Sequence, residues 1–210
     1  MNYGDIQAHF NDLLNRNDIT AALTTTFIDQ GIARIQRNLR TPLNEAINTY
    51  TVSAQTGSFA LPNDFLEVIS LYYDDKELKR IPMSKYRAVA SNPVAGNPVE
   101  FTRQQQNLLV HPQPASGNLV LYYYAEFAAM TANTDENTLA AVGSDLIIYA
   151  ALTFASDYYL DERGGLFEQK YLQFLTEIQE QANDQEMNGG TQQIQPAYTY
   201  TDYQSSYSTN

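Results

Sequence analysis

The sequence predicts an α+β protein: mainly an α-helical bundle, with a small antiparallel β sub-domain inserted between its helices and an extended C-terminal tail. Changes of hydrophobic period support this. Apolar residues recur at helical spacing up to residue 40 and again from residue 145, but alternate with polar residues between about 47 and 127. We therefore expect one domain over residues 1–190, with helices 3–40 and 145–187 forming the bundle, and a tail over residues 191–210.

The N-terminal part of the bundle is predicted as two helices, over residues 3–15 and 19–40. Asn17 or Asp18 is expected to cap the second helix, and Thr41-Pro42 ends it. Three arginines repeat every third residue near the end of this helix, where cations favour the helix dipole. They are Arg34, Arg37 and Arg40.

The β sub-domain is predicted from short alternating segments separated by turn residues. Asp74-Asp75 and Gln104–Gln106 occupy turns between strands, and Ser84 is expected to cap a short helix over residues 85–90. The segment at 76–81 is expected to be the return strand of a hairpin. The predicted strands cover residues 49–54, 66–73, 76–81, 99–103, 107–111 and 119–127.

Two closing helices are predicted after a polar loop. Ser144 is placed to cap a helix over residues 145–160, and Gly164-Gly165 either breaks or only loosens the chain before a last helix over residues 166–187. Gly189-Gly190 then ends the helical region.

The final twenty residues are rich in tyrosine, threonine, glutamine and serine, and only Asp202 among them is charged. Such a segment cannot bury enough surface to fold alone. Alternating tyrosine and threonine suits the addition of a strand to the edge of a partner's sheet, with the rings as anchors. We expect an interaction tail whose anchors are Tyr198, Tyr200, Tyr203 and Tyr207.

The charge is strongly acidic and unevenly placed. Twelve basic and 24 acidic residues give a net charge of −12, which argues against a basic nucleic-acid-binding surface over the whole protein. Nearly all of this excess belongs to residues after His111, where only Arg163 and Lys170 are basic. The acids form either ordinary solvated helix faces or a surface that repels a polyanion.

No constellation of residues indicates catalysis. The absence of cysteine excludes disulfides, thiol nucleophiles and Cys-type metal sites. His9 and His111 lack ligand-spaced neighbours, and no Walker loop, Gly-x-Ser-x-Gly or His-Glu-x-x-His motif occurs. The tyrosines at 72–73 and 122–124 could stack nucleobases, but alternation between core and surface explains them better. We expect no enzyme activity and no cofactor.

Three segments resemble, in order, the head-to-tail adaptor (head-completion, connector) proteins of tailed bacteriophages. The first is the opening from Tyr3 to Asp18, which runs into the helix ending at Arg40. The second, from Phe59 to Glu67, is similar to the "aLPxDFle" corner of that family. The third is the segment 119–127, Leu-Val-Leu-Tyr-Tyr-Tyr-Ala-Glu-Phe, followed by an acidic loop and two helices.

This resemblance implies a structural virion protein of the neck between capsid and tail, made in the bacterial host cytoplasm. It implies a homo-oligomeric ring of twelve copies that joins the portal to the tail or nozzle protein. Double-stranded DNA would pass through its channel without specific binding, and the ring would help retain and release the genome; no membrane is involved. On this basis we expect the tail tyrosines to dock on the portal and Arg34, Arg37 and Arg40 to pair with a neighbouring subunit. The channel-facing candidates are Asp157, Asp161, Glu162, Glu177 and Glu180.

Two alternatives remain at the level of sequence. A tail-completion or stopper ring would share this organisation but bind another partner. A single-strand nucleic-acid-binding module would instead show oligonucleotide affinity that weakens steeply with salt.

Overall fold

The computed structural model describes residues 1–91 and 94–187. Within them, helices and strands are both abundant, and the chain passes from helices to strands and back. The helices are α1 (Tyr3–Leu14), α2 (Ala21–Asn38), α3 (Met83–Val89), α4 (Thr138–Val142), α5 (Ser144–Tyr159) and α6 (Gly164–Met187). The strands are β1 (Glu45–Val52), β2 (Ser58–Ala60), β3 (Phe65–Tyr73), β4 (Lys76–Glu77), β5 (Lys79–Arg80), β6 (Glu100–Gln104), β7 (Asn107–His111) and β8 (Gly117–Ala125).

Helix α5 is the centre of the helical part of the molecule. It is apolar around most of its circumference because α1, α2 and α6 all pack against it. The α2 backbone approaches α5 closely at Gly31, where a Cβ atom would lie only 2.8 Å from the backbone nitrogen of Ala151. The fully buried residues of α5 include Leu146, Ile147, Ala150, Ala151, Leu152 and Ala155.

The ends of α1 and α2 follow local sequence signals. Asn2 and Asp5 form a capping box at the start of α1, and Asn15 ends it in the left-handed conformation. Thr20 caps α2 by accepting a hydrogen bond from the Leu23 backbone nitrogen at 3.3 Å. The predicted caps Asn17 and Asp18 were therefore wrong: the Asp18 carboxylate accepts two hydrogen bonds from the Arg16 guanidinium instead.

The strands form two four-stranded sheets. Sheet one has the order β1-β8-β3-β4 and sheet two the order β2-β7-β6-β5. Their inward side chains share one hydrophobic core, separate from that of the helices. Its members include Phe59, Leu71, Leu78, Phe101, Leu108, Leu119 and Leu121.

The predicted return strand at 76–81 is divided between the two sheets. Residues 76–77 pair with β3 in sheet one, whereas residues 79–80 pair with β6 in sheet two. Leu78 lies between them, buried in the β core, and donates its backbone N–H to the Leu71 carbonyl at 2.8 Å. The chain thus crosses from one sheet to the other within a single residue.

A few polar contacts join the helical and β parts. Arg40 after α2 pairs with Glu67 of β3, with 3.1 Å between Nε and Oε2. The Asn44 amide, in the short 3₁₀ turn Pro42–Asn44, donates to the Ala125 carbonyl at the end of β8. These contacts hold the entry and exit of the β insertion against the helices.

The α+β class is confirmed, but a mainly helical bundle is not, because the β part has a core of its own. The β part is also not purely antiparallel: β5 and β6 run parallel, since α3 connects them as a crossover. Ser84 does not cap α3, whose N-cap is Pro82, and Ser144 lies inside α5, whose N-cap is Gly143. The predicted tail lies outside the described residues.

Candidate assembly surfaces

Arg34 is held within its own chain. Its guanidinium makes a bidentate ion pair with Glu168 of α6, at 2.6 and 2.8 Å, and donates to the Thr153 hydroxyl of α5 at 3.0 Å. It also lies 4.1 Å from the ring centroid of Tyr171. The hydrogen bond from Arg34 lowers the pKa of Glu168 despite its partial burial. Arg34 therefore links α2, α5 and α6, which sequence spacing does not reveal.

Arg40 also has partners in its own chain. Besides Glu67, its Nη1 donates to the carbonyls of Gln36 and Leu39 at 2.6 and 2.7 Å, at the C-terminal end of α2. Arg37, in contrast, is exposed and has no hydrogen bond or ion pair with any described residue. Pairing across a subunit boundary stays a prediction, and of the three arginines Arg37 is the one whose guanidinium has no partner among residues 1–91 and 94–187.

A groove between α2, α5 and α6 brings Arg37 close to one of the predicted channel acids. It has a volume of about 410 Å³, and both Arg37 and Asp157 line it. Gly164 and Gly165 form part of its wall, and a Cβ atom at Gly165 would meet nothing within 4 Å. One groove is therefore lined by an exposed cation and an exposed anion, together with the Arg34–Glu168 ion pair.

Four of the predicted channel acids are exposed charges. Asp157, Glu162, Glu177 and Glu180 form no ion pair within the described part of the chain. Glu177 and Glu180 lie on α6 at a spacing of three residues, which places them on one face, and the next acid on that face is the exposed Asp184. The result is an acidic ridge along the C-terminal half of α6.

Asp161 differs from the other four because its charge is already paired. Arg163 donates to it from Nε and Nη2, at 3.1 and 2.7 Å, and from its backbone nitrogen at 2.9 Å. These hydrogen bonds lower the pKa of Asp161 to about 2. The same guanidinium donates to the carbonyls of Leu13 and Leu14, at 3.2 and 2.9 Å, where α1 ends. Asp161 and Arg163 therefore form a clamp between the α5–α6 corner and α1.

The corner that follows β2 is a structural joint. Leu61 is buried, and Asp64 accepts a hydrogen bond from the Tyr123 hydroxyl at 3.1 Å. Phe65 stacks on the Tyr123 ring with 5.8 Å between centroids, and Arg103 lies over Phe65 at 4.8 Å. Burial, reinforced by the Asp64 carboxylate, raises the pKa of Tyr123 to about 12. These contacts fix the start of β3 against the C-terminal end of β8.

The tyrosines of β3 and β8 alternate between core and surface, as predicted. Tyr73 and Tyr123 are buried, whereas Tyr72 and Tyr122 lie on the outer face of sheet one, in edge contact with 5.7 Å between centroids. Asp75 lines the groove beside the outer pair. Consecutive rings therefore cannot form one stacking platform, and the described lining of the adjacent groove contains a carboxylate but no cation that could bind a phosphate.

Sequence reasoning missed an apolar projection at the α5–α6 corner. Tyr158 is 61% exposed, Leu160 is 89% exposed and Leu166 is 52% exposed. Leu160 also has a φ of 53°, in the left-handed region that non-glycine residues adopt infrequently. Hydrophobic spacing does not predict this exposure, because apolar residues near the ends of two helices are ordinarily expected to face the core.

The described residues contain no cluster of side chains suited to hold a metal ion. No group of three or more histidine, aspartate or glutamate side chains among residues 1–91 and 94–187 is placed to hold a metal ion. His9 lies exposed on α1, and His111 ends β7.

No described helix has the length and apolar character needed to cross a bilayer. The anchors Tyr198, Tyr200, Tyr203 and Tyr207 fall outside the described residues.

Comparison with known protein families gives one match that covers nearly the whole chain. Residues 1–195 match the family model described as "SU10 adaptor protein". A search of curated proteins returned no match. The matched region includes both closing helices, the β insertion and the first residues of the tail.

Proposed function

The chain belongs to the SU10 adaptor protein family of bacteriophages, and we propose that it works as the head-to-tail adaptor ring of the virion. In this role it joins the portal to the tail or nozzle protein, extends the DNA channel, and helps to retain and release the packaged genome. The family match over residues 1–195 is the observation that carries the proposal. The protein performs no chemical reaction in this role and needs no cofactor.

The exposed acids support a channel role. Asp157, Glu162, Glu177 and Glu180 are solvated charges without ion-pair partners in the described residues. In a ring of twelve copies each would be repeated around the lumen, and repulsion from phosphates keeps DNA sliding rather than bound. Asp161 contributes less, because Arg163 neutralises it within the subunit.

Contacts between subunits of the ring would use Arg37, which has no ion-pair partner among the described residues. Arg37 would pair with an acid of the neighbouring copy, whereas Arg34 and Arg40 have partners in the same chain. A head-to-tail contact of this kind joins two different surfaces of identical subunits, and it closes into a ring when the rotation between copies allows.

The portal contact is tested with the full-length chain and the portal ring of the same phage. Light scattering measures the mass of the complex for the natural chain and for a variant with serine in place of Tyr198, Tyr200, Tyr203 and Tyr207. We expect the natural chain to bind and the variant to lose most of its affinity. Tyr158→Ser is the matched control, because it removes an exposed tyrosine of the folded body. Equal binding by all three chains would assign the portal contact elsewhere, and no binding by any would favour a ring further down the tail.

A nucleic-acid test separates the adaptor from a single-strand-binding module. Fluorescence anisotropy with labelled single-stranded and double-stranded oligonucleotides at low salt should show no saturable binding, because the net charge of −12 repels phosphates. Saturable single-strand binding that falls steeply with added salt would contradict the adaptor proposal.

A further inference from the structure

Strand β1 forms an unprotected edge of sheet one. It lies at the end of the order β1-β8-β3-β4, so one side of its backbone has no strand partner among the described residues. The strand is eight residues long, carries its only charge at its first residue, Glu45, and contains no proline, lysine or register shift. Proteins ordinarily protect such an edge with one of these features, because a bare edge invites a further strand.

The outer face beside this edge is apolar. Ile47 of β1 is 63% exposed, and its partner in register, Tyr122 of β8, is 38% exposed. Thr49 and Thr51 continue the same exposed face of β1. An added strand would therefore gain backbone hydrogen bonds along its length and an apolar contact on one face.

The last helix passes close to the start of β1. Ile178 and Ala182 of α6 line an apolar groove together with Pro42 and Leu43, the residues that lead directly into β1. Nine residues, 188–196, then separate the end of α6 from Ala197. At about 3.3 Å per residue they reach about 30 Å, which exceeds the length of about 26 Å that eight strand residues span.

The sequence of residues 197–203 suits a strand. It reads Ala-Tyr-Thr-Tyr-Thr-Asp-Tyr, so that Tyr198, Tyr200 and Asp202 share one face in an extended conformation. Tyrosine and threonine are both frequent in strands, and the run contains neither proline nor glycine. We propose that residues 197–203 add to sheet one as a further strand along the free edge of β1 in the same chain, with Tyr198 and Tyr200 on the face of Ile47.

This docked strand belongs to the chain before any portal is present, and it does not depend on the portal contact proposed above. If both hold, a portal ring that binds the same tyrosines must first displace them from β1.

The natural absence of cysteine gives a direct test by disulfide trapping. Asp202→Cys is combined in turn with Glu45→Cys, Thr49→Cys and Thr51→Cys, which sample the exposed face of β1 and leave all tyrosines in place. We expect at least one pair to form an intrachain disulfide about tenfold faster than Asp202→Cys with Gln169→Cys, an exposed position on α6. Equal rates at all positions would overturn the proposal. Disulfides formed only between chains would also overturn it, and would identify a second copy as the occupant.

Hydrogen exchange on the full-length chain gives an independent readout. Thr199→Pro removes a backbone donor and strand geometry from the proposed strand. The β1 amides that point away from β8 should exchange about tenfold faster in this variant than in the natural chain. Ser205→Pro, outside the proposed strand, should leave them unchanged. Identical β1 exchange in all three chains would overturn the proposal.

Discussion

Single arginines hold the helical part of this molecule together across long sequence distances. Arg163 is the clearest case, because one guanidinium binds Asp161 beside it and the carbonyls of Leu13 and Leu14, which are 150 and 149 residues away. It satisfies acceptors at the end of α1 that intrahelical bonds leave free. A cation at a helix C-terminus also interacts favourably with the helix dipole.

Arg163→Gln should lower the free energy of unfolding by about 1–3 kcal/mol, because charge-assisted hydrogen bonds to Asp161 and to α1 are lost. Urea unfolding followed by circular dichroism measures the change. Arg37→Gln is the matched control: Arg37 has no partner in the described residues, and its loss should change stability by less than about 0.5 kcal/mol. Equal effects of the two substitutions would show that the clamp contributes nothing to stability.

The same clamp predicts a specific acid sensitivity. The pKa of Asp161 is lowered in the folded chain to about 2 from an ordinary value of 3.8. A carboxylate whose pKa is lowered by folding stabilises the fold at pH values above its pKa in the unfolded chain. This contribution is lost as the pH falls from about 4 to about 2. Asp161→Asn should therefore unfold more readily than the natural chain at pH 7, and the difference should shrink through that range. A difference that stays constant down to pH 2 would contradict the assignment.

At the scale of elements, the packing of α2 on α5 depends on one glycine. A Cβ atom at Gly31 would lie 2.8 Å from the nitrogen of Ala151 and 3.2 Å from the carbonyl carbon of Ala150, both backbone atoms that cannot swing aside. Gly31→Ala should force the helices apart and cost about 1–3 kcal/mol.

Gly165→Ala is the matched control for this packing. Gly165 lies in the first turn of α6 with open space around it, so alanine should be neutral or stabilise by up to about 1 kcal/mol through helix propensity. Differential scanning calorimetry should show a lower Tm for Gly31→Ala and an unchanged or higher one for Gly165→Ala. The same direction of change for both would refute the role of close packing at Gly31.

Most elements could be predicted from the sequence because the spacing of apolar residues within each segment shows a helical or strand period. The long helices and the strands β3, β7 and β8 agree with prediction to within a few residues. The five-residue helix α4 was missed, since it is too short to show a helical repeat. The divided segment at 76–81 was also missed, because its two strands are defined by partners in different sheets.

The candidate surfaces were less predictable for a similar reason. Sequence spacing indicated the arginine set and the exposed acids, but ion-pair partners at long range decide which charges are free. Arg34 is taken by Glu168, 134 residues away, whereas Arg37 has no such partner in the described chain. Nothing within the helix distinguishes the two.

The whole molecule contains two hydrophobic cores, one of helices and one of sheets, joined by a few polar contacts. Such an arrangement allows one part to open while the other remains folded. Leu121 is fully buried between β1 and β3 in the β core, and Leu152 is fully buried in α5. The two leucines therefore report on the two cores.

Leu121→Ala and Leu152→Ala should each cost about 2–5 kcal/mol. Hydrogen exchange should rise mainly in the sheets for the first variant and mainly in the helices for the second. Uniform acceleration throughout the chain in both variants would mean that the two cores unfold as a single cooperative unit.

The one-residue crossing at Leu78 has a mechanical consequence. The Leu78 backbone donates a hydrogen bond to Leu71 in sheet one, whereas the next residue, Lys79, donates to Val99 beside sheet two. A load that pulls the sheets apart falls on the covalent chain here, because one residue, and no loop that could lengthen first, separates strands β4 and β5. The two sheets would therefore transmit such a load as one stiff body.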